Sequence, residues 1–115
     1  MNVEIQEIGE VTVLRLDGPM NLRGGFIQLR RVVTELAERG RTLVVFDAGG
    51  VVRIDSTGMG ELVTSYTRLV NAGGRVVLAN ISEGLGGILQ LTQLITFFEI
   101  YDTADEAVQA LSQTT

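Results

Sequence analysis

The chain has 115 residues and a formal net charge of −5, with nine arginines but no lysine, histidine, cysteine or tryptophan. The length suits one domain over residues 1–115, and an apolar content of 45% suits a packed core. The missing residue types exclude a Ser-His-Asp triad, Schiff-base and thiolate chemistry and ordinary transition-metal sites, and the acidic charge disfavours nucleic acid as a partner. We therefore expect no catalytic residue, metal ion or cofactor.

The first predicted elements are an antiparallel hairpin and a helix. Apolar residues mark strands at residues 3–8 and 11–16, and the Gly-Glu pair between them is a turn signal. Asn21 is expected to cap a helix over residues 22–39, where apolar side chains recur with the helical period. A pair of glycines near the start of this helix should delay or fray its first turn.

The rest of the chain alternates buried strands with amphipathic helices. Continuous apolar runs predict strands at residues 43–46 and 76–79, and a short last strand is expected at residues 97–101. A second helix is expected from Met59 after a loop that begins behind the first of these strands, and a third follows a loop over residues 80–87. Thr103 and Glu106 match a capping box at the start of a fourth helix. Residues 112–115 are expected to be loose.

This order predicts an α/β fold with a mixed, mostly parallel sheet, an N-terminal hairpin and four amphipathic helices. The loops that leave the carboxyl ends of parallel strands meet at one edge, where ligands tend to bind. Three loops, over residues 18–23, 51–60 and 80–85, should therefore lie together.

The middle loop contains the segment VRIDSTGMGELV, in which an aspartate and two hydroxyls precede a Gly-x-Gly pair. Asp55 or Ser56 can cap the helix that follows. A nucleophilic role for Ser56 lacks a histidine or lysine to accept its proton, and a dinucleotide fingerprint fails because Val63 stands where its third glycine belongs. The remaining interpretation is a phosphoacceptor, a hydroxyl exposed before a helix where a kinase can reach it.

Five segments resemble the sulfate transporter and anti-sigma-factor antagonist (STAS) domain, and the resemblance covers nearly the whole chain. They are IDSTGMGEL, VTVLRLDGPMN, LVVFDAGGVVRIDSTG, NAGGRVVLANIS and LTQLITFFEIYDTADEAVQAL. A domain of this length is most similar to a bacterial anti-sigma-factor antagonist. The resemblance implies that an anti-sigma factor, itself a serine/threonine kinase, phosphorylates Ser56, with Thr57 as the alternative acceptor. It also implies that the unphosphorylated form binds the anti-sigma factor and frees the sigma factor, and that a serine/threonine phosphatase reverses the modification.

The resemblance also assigns site residues. The phosphorylation loop around Ser56 comprises Asp55, Thr57, Gly58, Met59 and Gly60. Partner contacts are expected from the three gathered loops, at Met20, Asn21, Leu22, Arg23, Arg53, Ser82 and Leu85. Of these, Met20, Leu22 and Leu85 are expected to be exposed, whereas Met59 is expected in the core. The turn after the second strand departs from the family pattern Gly-Glu-Leu-Asp, and Arg53 replaces an apolar or aromatic residue.

An alternative function keeps the fold but makes the domain a non-switching scaffold, either in a stressosome-like signalling assembly or in a lipid-transport complex. Both functions imply a binding protein and not an enzyme. The sequence has no apolar run long enough to insert into a membrane, so a cytoplasmic location is expected. The sequence is compatible with a homodimer and does not determine the oligomeric state.

Overall fold

A computed structural model describes residues 1–113; Thr114 and Thr115, within the segment predicted to be loose, lie outside the described residues. Residues 1–113 fold into one five-stranded sheet with four α-helices and a short 3-10 helix at Leu94–Thr96. The strands are β1 (Asn2–Ile8), β2 (Val11–Asp17), β3 (Leu43–Gly50), β4 (Arg75–Ala79) and β5 (Ile100–Tyr101). The helices are α1 (Ile27–Glu38), α2 (Ser56–Asn71), α3 (Glu83–Leu91) and α4 (Ala104–Ser112). Within this range, no helix combines the length and the apolar character that a bilayer-spanning segment needs.

The strands lie in the order β1-β2-β3-β4-β5, with β1 antiparallel to β2 and every other pair parallel. Phe46 at the centre of β3 is level with Leu14 of β2 and Leu78 of β4, and all three are fully buried. The predicted mixed sheet with an N-terminal hairpin is confirmed.

Side chains alternate between two apolar layers because successive residues of a strand face opposite sides of the sheet. One layer contains Leu14, Phe46 and Leu78 and is covered by α1, α2 and α3. The other contains valines of β2, β3 and β4 and is covered by α4 through Ala107 and Leu111. The layer covered by α4 is the smaller, and the sheet beside β1 stays partly open on that side.

The start of α1 differs from the prediction. The helix begins at Ile27 instead of residue 22, because Gly25 has a φ of +69°, which no helical residue adopts. Asn21 therefore caps no helix; its side chain accepts a hydrogen bond from the Gly24 N–H at 2.9 Å and closes a turn. The predicted capping residue is wrong, whereas the predicted delay of the first turn is confirmed.

Other element boundaries in the structure also differ from the predicted ones. β3 continues through the two glycines to Gly50, where a Cβ would lie 2.0 Å from a carboxylate oxygen of Asp17 on β2. The strand predicted at residues 97–101 is reduced to two residues, because a turn of 3-10 helix precedes it. Ser112 belongs to α4 and is not loose. The Thr103 hydroxyl accepts a hydrogen bond from the Glu106 N–H, as half of the predicted capping box.

Candidate functional site

The loops that follow β2, β3 and β4 are joined by hydrogen bonds. Met20 donates its N–H to the Arg53 carbonyl at 2.8 Å and accepts from the Asp55 N–H at 3.3 Å. Ser82, in the loop after β4, donates its hydroxyl to the Val51 carbonyl. The predicted gathering of the three loops is therefore confirmed, with the middle loop bonded to both neighbours.

Glycine is required where α2 begins. A Cβ on Gly58 would lie 1.8 Å from the Met20 carbonyl oxygen, a backbone atom that cannot move away alone. A Cβ on Gly84, at the start of α3, would likewise lie 2.5 Å from the Val52 carbonyl oxygen. By contrast, a Cβ on Gly60 would meet nothing within 4 Å. Gly58 and Gly84 thus allow two helices to start against the backbone of a neighbouring loop.

Asp55 is the N-cap of α2. Its carboxylate accepts a hydrogen bond from the Gly58 N–H at 2.9 Å, and its carbonyl accepts from the Met59 N–H at 2.9 Å. The capping role predicted for Asp55 or Ser56 thus belongs to Asp55. Ser56 is the first residue of the helix and Thr57 the second, and both are exposed with no hydrogen bond from the side chain to any described residue.

Apolar and cationic side chains are also exposed on the gathered loops that lie beside the start of α2. Leu22 is 77% exposed and Val52 is 69% exposed. Arg23 and Arg53 are also exposed, and neither forms an ion pair or a side-chain hydrogen bond with any of residues 1–113. Exposed apolar side chains next to unpaired arginines are common in protein-binding surfaces. Within the described range, no cluster of carboxylates suits a metal ion.

A family model described as the STAS domain matches residues 2–107 of the chain. The chain belongs to the STAS domain family. Similar proteins include one of Thermotoga maritima whose name assigns it provisionally to the anti-sigma factor antagonists; it is 26% identical over 102 residues, which cover 89% of this chain and 90% of that protein.

The STAS fold is also shared with solved structures. The crystal structure of a Thermotoga maritima protein, provisionally described as an anti-sigma factor antagonist, has a TM-score of 0.86 and 23% identity, covering 96% of this chain and 95% of that one. SpoIIAA from Bacillus, in its phosphorylated form, has a TM-score of 0.75 and 21% identity over 96% of this chain and 99% of its own. The unphosphorylated form of SpoIIAA has a TM-score of 0.73 and 21% identity, covering 97% of this chain and 99% of that one.

Two residues predicted as exposed contacts of this STAS domain are buried. Met20 and Leu85 have an exposed fraction of 0% and belong to the larger apolar layer. The Met20 side chain is held inward because its backbone bridges to Ile54, and Leu85 lies on the sheet-facing side of α3. The prediction that Met20 and Leu85 are exposed is wrong. Met59 is buried as predicted.

The remaining predicted contacts differ in what their side chains do. Ser82 is half-buried, and its hydroxyl caps α3 by accepting a hydrogen bond from the Leu85 N–H at 3.2 Å. This hydroxyl therefore stabilises the fold. Leu22, Arg23 and Arg53 are exposed and stay predictions as contacts. Val52 was missed. In the segment Val-Val-Arg-Ile the first and last residues are buried and the middle two are exposed, a spacing that does not follow the alternation of a strand, so no local pattern identified the second residue as exposed.

Proposed function

We propose that this STAS domain is an anti-sigma-factor antagonist whose binding is controlled by phosphorylation of Ser56. In this proposal the unphosphorylated domain binds an anti-sigma factor, which is a serine/threonine kinase, and so releases a sigma factor. Phosphorylation ends that binding and a serine/threonine phosphatase restores it. The domain itself acts as a binding module without catalysis.

The observation that carries the proposal is the state of the hydroxyls at the start of α2. Asp55 already caps the helix, so the Ser56 hydroxyl is not needed to hold the fold and projects from an exposed position. A kinase needs such a hydroxyl, and the exposed glycine at position 60 leaves room beside it. Thr57 is also exposed and remains the alternative acceptor.

A phosphate on Ser56 would act through charge. It adds about −1.5 to −2 charges at neutral pH. The free N–H groups and the dipole at the start of α2 favour an anion, so the domain has no need to unfold. A partner surface matched to a neutral serine would instead meet this charge beside the Asp55 carboxylate. Like-charge contacts of this kind cost several kcal/mol, which corresponds to a loss of affinity of about 100-fold or more.

The SpoIIAA structures support the expectation that the fold survives the modification. The phosphorylated and the unphosphorylated forms resemble this chain almost equally, with TM-scores of 0.75 and 0.73. For this STAS domain, we infer that the two states would likewise differ at the surface around Ser56 and not in the arrangement of the sheet.

The proposal is tested with the anti-sigma kinases encoded in the same genome. Each is titrated calorimetrically with wild-type protein and with the variants Ser56→Asp and Ser56→Asn. Asparagine has the shape of aspartate without its charge, so it is the matched control. We expect the aspartate variant to bind about 100-fold more weakly than the asparagine variant. Equal binding of the two variants to a kinase that binds wild type would refute the switch.

The acceptor is tested separately by incubating the complex with ATP and locating the phosphate by mass spectrometry. We expect one phosphate on Ser56 and none in Ser56→Ala. A phosphate on Thr57 in wild type would move the switch by one residue. Binding without any phosphorylation would favour a non-switching scaffold.

A further inference from the structure

The outer edge of β1 is an unpaired sheet edge in the described part of the chain, because no strand lies beyond it. At Val3 the edge is closed by α1: the Val3 N–H donates to Gln28 Oε1 at 3.2 Å, and Gln28 Nε2 donates to the Val3 carbonyl at 3.1 Å. Along an antiparallel edge strand, the backbone N–H and C=O groups of every second residue point away from the neighbouring strand. The backbone groups of Ile5 and Glu7, like those of Val3, therefore face away from β2. They are therefore available to a further strand.

A groove of about 330 Å³ runs beside this edge on the side of the sheet that α4 covers. Its floor is apolar apart from Gln6, because α4 lies over the middle of the sheet and leaves part of the β1–β2 hairpin uncovered. The floor residues are Ile8, Val13, Ala104 and Val108. A strand added to β1 would direct every second side chain into this groove.

The rim of the groove is acidic. Glu4, Asp47 and Asp105 line it, against one cation, Arg15, which lies 3.7 Å from the Asp17 carboxylate. Three carboxylates around an apolar floor favour a ligand that carries an apolar side chain flanked by arginine or lysine. Pairing β1 with β1 of a second copy would instead bring two acidic grooves together, which is unfavourable.

We propose that the β1 edge and this groove form a second binding surface, which takes an extended basic segment of another protein as an added strand. The backbone of the segment pairs with Ile5 and Glu7, one apolar side chain enters the groove, and basic side chains on either side meet Glu4 and Asp105. The groove lies on the opposite side of the sheet from α2. The surface is therefore available while a partner occupies the Ser56 loop.

The test uses a blocked heptapeptide, Thr-Arg-Thr-Leu-Thr-Arg-Thr, whose second, fourth and sixth side chains share one face of a strand. It is titrated into the ¹⁵N-labelled full chain, with Thr-Glu-Thr-Leu-Thr-Glu-Thr as the control peptide. We expect the basic peptide to bind with a dissociation constant below about 1 mM and to shift the amides of residues 4–8 and 104–108. Added salt should weaken this binding.

The matched variants are Asp105→Arg and Glu106→Arg. Both remove an acid from the first turn of α4 and so change its stability similarly, but only Asp105 lines the groove. We expect Asp105→Arg to weaken peptide binding about fivefold or more and Glu106→Arg to leave it unchanged. Equal effects of the two variants, equal binding of the acidic peptide, or no shift at millimolar peptide would overturn the proposal. Shifts of β1 amides on dilution without peptide would also overturn it, by showing a second copy at the edge.

Discussion

Gly58→Ala and Gly60→Ala provide a matched test of how the loops are held at the start of α2. Both substitutions add a methyl group to the same helix, but the Gly58 Cβ would lie 1.8 Å from the Met20 carbonyl oxygen, whereas the Gly60 Cβ would meet open space. Overpacking of this kind costs about 1–3 kcal/mol. Separating the loops would also weaken the two hydrogen bonds of the Met20 backbone, each worth about 1 kcal/mol.

The gain in helix propensity from glycine to alanine offsets about 1 kcal/mol of this cost. We therefore expect Gly58→Ala to lower the free energy of unfolding by about 3 kcal/mol, and Gly60→Ala to raise it by about 0.5–1 kcal/mol. Urea denaturation followed by far-UV circular dichroism measures both values. If Gly58→Ala were as stable as Gly60→Ala, the close approach of α2 to the loop after β2 would be wrong.

Two further predictions concern the exposed contacts and pH. Leu22→Asp and Val52→Asp should each change stability by no more than about 0.5 kcal/mol, because both side chains are exposed, and should weaken binding to the proposed anti-sigma factor partner. Met20→Ala should instead cost about 2–5 kcal/mol, because its side chain is fully buried. Urea denaturation and calorimetric binding separate the two effects, and a large stability loss in Leu22→Asp would contradict the assignment. The Arg75 side chain donates to the Glu99 carboxylate and lowers the pKa of Glu99 below its ordinary value of 4.5. Because the pKa of Glu99 is lower in the folded protein than in the unfolded chain, ionised Glu99 stabilises the fold above pH 4.5, and this stabilisation is lost as the pH falls through the folded pKa. Wild type should therefore lose more stability below pH 4.5 than Glu99→Gln. Parallel urea midpoints of the two proteins across this pH range would exclude the pair as a contributor.

Apolar periodicity was sufficient to predict the number and order of the strands and α-helices, because the central strands β2, β3 and β4 are largely buried and each helix has one apolar side. It was insufficient for the start of α1. That boundary depends on the positive φ of Gly25, and a glycine pair indicates a break without fixing which residue adopts which conformation. The length of β3 was also missed, since its last two glycines are required by atoms distant in the sequence: a Cβ on Gly49 would lie 2.3 Å from the Asn80 side chain, and a Cβ on Gly50 would lie 2.7 Å from the Leu16 carbonyl oxygen.

In the candidate site, likewise, one feature could be predicted from the sequence and another could not. A cap at Asp55 or Ser56 follows from residue types at a loop-helix junction, and the structure assigns it to Asp55. The burial of Met20 does not follow in this way, because the sequence places this apolar residue in a loop, between a proline and an asparagine, where an exposed side chain is expected. It is buried because its backbone pairs with Ile54, more than thirty residues away, and no local pattern records such a long-range bridge.

The same bridge bears on how the proposed switch would work. Met20 is bonded through its backbone to residues on both sides of Ile54, and Gly58 lies against the Met20 carbonyl. Leu22 and Ser56 are therefore carried by segments that cannot move independently without losing these contacts. A phosphate on Ser56 would act on a surface that is already fixed, and its effect on a partner would come from charge at that surface. Weakening the bridge would loosen the proposed binding surface before any phosphate is added, so in the proposed switch an intact bridge and a neutral Ser56 would be separate requirements for binding.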